Sequence, residues 1–219
     1  MNKEAKILVG ITVATILALV GGSFFFSKKD SQAITNPSDT KVYDQNLIMG
    51  DNPHSKGSTN PVVTIVEFGD FQCPACGASF PVTQQLEKEY GDRIKFVFRE
   101  FPLEQHANAY DSARAAEAAG AQGKFWEMHD KLYETQDDWG EKTGAVTQFE
   151  AYAKDLGLDV VQFKKAFSDK TFDSVIQKGL TDGTTLGVNA TPTFFINGKK
   201  MSGVFTLAEW KNLLADYLK

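Results

Sequence analysis

The chain has 219 residues, 23 lysines and arginines against 28 aspartates and glutamates, a net charge of −5 and 42% hydrophobic residues. That is enough for one packed domain with appendages. The mild acidity excludes the broad basic surface of a nucleic-acid binder, and two cysteines are too few for a disulfide-stapled scaffold.

Ile7 to Phe26 is an uncharged run of about bilayer length, preceded by Lys3 and Lys6 and followed by Lys28 and Lys29. A cleaved signal peptide is the rival reading, with Ser31-Gln32-Ala33 as a cleavage site. Its apolar region is usually shorter, and Lys28, Lys29 and Asp30 stand between the run and that site. A retained membrane anchor is therefore expected over residues 1–28, followed by a flexible tether over 29–46. Positive charge flanks both ends of the run, so the inside-positive rule barely decides its orientation. Leu47-Ile48-Met49 reads as an edge strand, and 51–60 as a Gly/Ser/Asn/Pro loop.

Val62 to Phe68 is β-branched and aromatic, as a buried central strand should be, and Gly69 and Asp70 break it. A helix follows over Cys73–Tyr90 with Phe80, Leu86 and Tyr90 as apolar marks, and Pro81 inside it predicts a kink. Ile94–Arg99 is a second strand, parallel to the first because a helix joins them. Glu67 is the odd residue of the first strand, since an acid in an apolar strand is unfavourable unless paired or protonated. It is either a solvated strand-end residue or a half-buried general base, with Lys95 as a charge partner.

Residues 105–187 are almost wholly helix-period. An alanine-rich helix spans 107–121 and another spans 124–135, with Phe125, Met128 and Leu132 on one face. His129 reads as a hydrogen-bonded core histidine. His106, just after the second strand, falls near the surface around the cysteines. Asp137-Asp138-Trp139-Gly140 reads as a loop, and Thr147 to Glu150 as the capping box of the next helix. Further helices fit 160–167 and 172–186. The chain then returns to strand at Thr193–Ile196, turns at Asn197-Gly198 and pairs back through Lys200–Ser202. A last helix over 205–218 is capped by Thr206 and Glu209.

The only two cysteines stand at the first strand-to-helix junction, as Cys73-Pro74-Ala75-Cys76. Three residues apart at a helix start, they can close a disulfide without moving the backbone. Cys73 falls where the first helical amides lack partners and the macrodipole is positive, which favours a thiolate. Pro74 suits the first helical turn. Cys76 would point inward and resolve a mixed disulfide formed at Cys73. Two other uses remain. A closed zinc site needs four ligands, and the chain has no further cysteines, while His54, His106 and His129 lack ligand spacing. A purely structural disulfide closing so short a loop would contribute little.

The stretches 61–68 and 70–76, with 95–103, 122–130 and 188–198 in the same order, resemble DsbA-type thiol:disulfide oxidoreductases of the thioredoxin superfamily over about residues 50–219. The resemblance implies an α/β thioredoxin fold over 47–219, with a helical insertion over about 105–187 between the second and third core strands, preceded by an N-terminal transmembrane helix. It implies a redox-active Cys73–Cys76 disulfide as the only redox group, with no cofactor and no metal. Glu67, six residues before the first cysteine, takes the place of the family's buried acid and would accept the Cys76 proton through water. Pro74 matches the Cys-Pro-x-Cys of the oxidising branch. Ala75 stands where the best-known oxidase has a histidine, which implies a weaker oxidant. Most X–Pro bonds are trans, but the resemblance implies a cis Thr191–Pro192 bond opposite the cysteines. The Thr191 backbone would pair with an extended substrate, and its side chain would touch the disulfide. It further implies a single-pass protein of the bacterial cell membrane with an extracytoplasmic catalytic domain. Expected partners are exported proteins with free thiols or disulfides and a membrane redox partner. The expected reaction is oxidation. The alternatives are a reductase or isomerase of the same fold and a non-enzymatic peptide-holding chaperone.

Overall fold

Residues 41–219 are described by a computed structural model; the expected anchor and the tether as far as residue 40 lie outside them. Among the described residues no helix is long and apolar enough to cross a membrane. The elements in chain order are α1 (Gln45–Met49), β1 (His54–Gly57), β2 (Val63–Gly69), α2 (Pro74–Tyr90), β3 (Ile94–Glu100), α3 (Ala109–Gly120), α4 (Phe125–Glu134) and α5 (Gln136–Trp139). They continue with α6 (Val146–Asp155), α7 (Val160–Ser168), α8 (Asp173–Thr185), β4 (Thr193–Ile196), β5 (Lys199–Ser202) and α9 (Leu207–Leu214).

Of the apolar run foreseen at 62–68, Val63 to Phe68 lie in β2, the central strand of a five-stranded sheet ordered β1-β3-β2-β4-β5, while Val62 precedes the strand and is exposed. β2 and β3 pair in parallel from Val63↔Ile94 to Gly69↔Glu100, and the other pairs are antiparallel. Alternation sends Val63 and Ile65 to one face, against Leu86, Phe96, Phe194 and Trp210, and Val66 and Phe68 to the other, against Ile48, Val97 and Phe195. With both faces covered, the strand reads as continuously apolar. Glu67 shares a face with Val63 and Ile65. The insertion between β3 and β4 contributes α3 to α8. Its core of alanines, Met128, Leu132, Trp139, Phe149 and Phe163 is continuous with Phe71, Cys73, Cys76 and Phe80. The cysteines are therefore packed under the insertion.

The β4–β5 turn has Asn197 and Gly198 at φ of 47° and 84°, the left-handed pair that a two-residue hairpin requires. The Thr206/Glu209 capping box forms in both directions. Four expectations are corrected. Leu47-Ile48-Met49 is helical, because Asp44 caps it and Arg99 takes the Leu47 and Ile48 carbonyls at 3.0 and 3.1 Å, leaving none for a ladder. The edge strand is instead β1, inside the stretch read as a loop; its inward residues are His54 and Lys56, so no apolar alternation announced it. Asp137-Asp138-Trp139 belongs to α5, anchored by a fully buried Trp139 whose Nε1 donates to the Leu132 carbonyl at 3.0 Å. α6 begins with Ala145 as its N-cap and no side-chain cap, so Thr147 lies inside the helix. Within the stretch expected as tether, Tyr43 is buried, edge-on to Phe195 at 5.3 Å.

Arg99 ties this N-terminal segment to the domain. Besides the two carbonyls of α1, its guanidinium donates to Asp182 Oδ2 at 2.6 Å, and both side chains are under a tenth exposed. Removing one partner of a buried pair costs about 3–5 kcal/mol. Lys178 still neutralises Asp182 from 2.9 Å. Arg99→Ala should therefore fall at the lower end, about 3 kcal/mol, read from urea unfolding midpoints.

Candidate active site

The site begins with the turn between β2 and α2. The Asp70 side chain is fully buried and accepts from the Gln72 amide at 2.8 Å, the Leu103 amide at 3.0 Å and His106 Nδ1 at 2.6 Å. The Cys73 amide donates to the Asp70 carbonyl at 3.0 Å. This turn delivers Cys73 to the N-cap of α2 in an extended conformation, with Pro74 in the first turn. No side chain caps the helix, so the sulfur occupies the capping place and the Cys76 and Ala75 amides support its charge.

Opposite stands the Thr191–Pro192 bond, which is cis. Cys73 Sγ lies 3.4 Å from the Thr191 carbonyl oxygen, to which it donates only while protonated. The Thr191 hydroxyl is buried without another hydrogen-bond partner. Cys73 is 6% exposed and Cys76 1%. Their ionisation is opposed. A hydrogen bond from Cys76 is the largest influence bringing the Cys73 thiol down to about 5, burial works against it, and the Thr191 hydroxyl and helix amides assist. Cys76 is pushed well above the usual thiol range, first by burial, then by donating to Cys73 and by the charges of Glu67 and Cys73.

Glu67 lies beneath the pair and is 3% exposed. Burial pushes its carboxyl up to about 8, Glu87 and Cys73 add to this, and Lys56 opposes it. The expected partner Lys95 is not there: it pairs in register with Thr64, whereas Glu67 pairs with Phe98, and the odd-numbered β3 positions face the other side of the sheet. Lys56 on β1 supplies the positive charge, bridging Glu87 at 2.7 Å and Asp130 at 3.8 Å. His129 is a core histidine, with Nδ1 on Asp130 at 2.8 Å and burial holding it down to about 4.

Cys73, Cys76, Pro74, Ala75, Thr191, Pro192 and Glu67 are thus brought to one place by β2, α2 and the loop before β4. Sequence reasoning missed three further side chains. Gln136 Nε2 donates to the Phe71 and Cys73 carbonyls at 2.7 and 3.0 Å, fastening the insertion to the cysteine turn. Gln72 Nε2 returns a bond to the Gly140 carbonyl at 2.6 Å. The Tyr133 hydroxyl is buried and unpartnered, and burial, with Cys76 and Glu67 close by, pushes it well above the usual phenol range. No periodicity marks an isolated polar residue on a loop-like stretch, and Tyr133 reads simply as core.

A family profile described as Thioredoxin matches residues 50–216. The chain belongs to the thioredoxin family. Its fold is DsbA-like. It superposes on BdbD from Bacillus subtilis with a TM-score of 0.68 at 26% identity, over 76% of this chain and 92% of that one. The thiol-disulfide exchange protein alpha-DsbA2 from Wolbachia pipientis gives a TM-score of 0.68 at 23% identity, over 78% and 90%. Among curated proteins it is 33% identical over 213 residues to Na(+)/H(+) antiporter NhaA 1 of Mycolicibacterium vanbaalenii, covering 94% of this chain and 33% of that protein. The thioredoxin-family chain thus spans about a third of the length of the curated relatives it matches.

The Glu67 environment fixes a pH dependence. A carboxyl raised from 4.5 to about 8 keeps its proton in the folded state while the unfolded chain has already lost it. Its contribution to stability is full below about pH 4.5 and is lost as the pH rises through about 8. Glu67→Gln removes that loss. The melting temperature of the variant relative to wild type should rise steadily across this window in paired thermal scans, and a flat difference would show the acid to be solvated.

Proposed function

We propose that this chain is an extracytoplasmic, membrane-tethered thiol:disulfide oxidoreductase that works as a dithiol oxidase on exported proteins. The observation that carries the reading is the opposed ionisation of the pair: an ionised Cys73 at a helix start above a buried, protonated Cys76. Such a pair stabilises the dithiol form and so makes the disulfide an oxidant. The name of alpha-DsbA2, a thiol-disulfide exchange protein of the same fold, supports the class of reaction. The apolar run at 7–26 supports the tether.

In the forward direction a substrate thiolate attacks Cys73 Sγ. The Cys73–Cys76 bond breaks, and Cys76 leaves as a thiolate that takes the Glu67 proton through water. A second substrate thiolate then attacks the substrate sulfur of the mixed disulfide and expels Cys73 as a thiolate. The substrate loses two electrons and gains a disulfide; the enzyme gains both electrons, which pass on to a membrane redox partner. Run backwards, Glu67 becomes the base for Cys76. The cis Pro192 loop offers the Thr191 backbone to an extended substrate strand.

A Cys76→Ser variant should accumulate mixed disulfides with substrate at Cys73, visible on non-reducing gels and absent if the groove only holds peptides. Titration of the wild-type pair against glutathione should give a potential between about −120 and about −270 mV, since Ala75 cannot donate to the thiolate as a histidine would. A value at or below about −270 mV would end the oxidase reading in favour of a reductase.

A further inference from the structure

Away from the cysteines, His54 of β1, Glu100 at the end of β3 and Glu117 of α3 converge. His54 Nε2 is 3.1 Å from each carboxylate oxygen of Glu117. A Glu100 carboxylate oxygen joins them, and the three donor atoms lie within 4.8 Å of one another. Glu100 and Glu117 are 4% and 5% exposed; without an ion, a proton held on Glu100 by burial and by Glu117 bridges the two carboxyl groups, and Glu100 Oε1 accepts from no other donor. Two buried carboxylates side by side repel each other unless a cation or a proton stands between them, and an orphaned buried oxygen marks an unfilled position. The His54 ring is held flat on Phe125, centroids 3.5 Å apart and planes 5° from parallel, so Nε2 is aimed rather than free to swing. Its side chain is 27% exposed, which leaves an entry path from solvent.

The sequence hides this group because its members come from three elements and lie 46 and 17 positions apart in the numbering. We propose that His54, Glu100 and Glu117 form a three-ligand site for a divalent first-row transition ion such as zinc. One imidazole and two carboxylates suit such an ion, whereas calcium asks for six to eight oxygens. Donors about 2.1 Å from a tetrahedral ion stand about 3.4 Å from each other; the His54–Glu117 pair at 3.1 Å would open slightly, the Glu100 oxygen, within 4.8 Å, would move in, and water takes the fourth position. The ion would tie the edge strand to the first helix of the insertion. It would act beside the cysteine turn, since Glu100 pairs in register with Gly69 and the next amide, Phe101, donates to the Gly69 carbonyl at 2.7 Å.

The test uses the full-length chain in mild detergent, treated with chelator and dialysed, with Cys73 and Cys76 oxidised so that they cannot take metal. Zinc chloride should bind at one equivalent in a calorimetric titration and raise the melting temperature. His54→Gln and Glu117→Gln should each weaken binding at least about tenfold. X-ray absorption on the wild-type zinc complex should show an imidazole and light-atom shell. No saturable binding, equal affinity in both variants, or a shell without imidazole would overturn the proposal.

Discussion

Cys73 sits where the unpaired amides of α2 begin, and the rest of the site depends on that contact. A sulfur in this place is stabilised as an anion by the peptide dipoles and by the Cys76 thiol beneath it. Burial acts on both sulfurs but with different results. Cys73 has donors and ionises in spite of it, whereas Cys76 and Glu67 have none sufficient and keep their protons. One helix end and one buried strand therefore separate two chemically identical thiols into a nucleophile and a resolving partner.

Holding that geometry is the task of the insertion. Gln136 and Gln72 exchange hydrogen bonds between α5 and the cysteine turn, while Asp70 and His106 brace the turn from the β3 side. Phe71 and Phe80 belong to the same core as Met128, Leu132 and Trp139. The insertion thus covers Cys76 and fixes where Cys73 points, so the burial that sets both ionisations is supplied by a part of the chain remote in sequence.

The frame of this fold was legible because its signals are local and strong. Val63 to Phe68 read as a buried strand and is one, the cysteines marked the junction, and Thr206 with Glu209 marked the last helix. Thr191 and Pro192 were legible through the resemblance alone, since nothing in their own residues asks for a cis bond. What escaped was polar and long-range. β1 turns His54 and Lys56 inward, so its alternation carries no apolar mark. α1 owes its place to Arg99, about fifty residues away in the chain. Lys95 was the nearer choice for Glu67 in sequence, yet strand alternation points it to the opposite face, and Lys56 reaches the acid's side from a strand not foreseen.

The most direct measurement is the rate of iodoacetamide alkylation of the reduced wild-type chain against pH, with the modified residue identified by peptide mass spectrometry. The account predicts modification at Cys73 with a midpoint near pH 5, and Cys76 untouched. A midpoint in the ordinary thiol range, about 8.5, or equal labelling of both cysteines would contradict it.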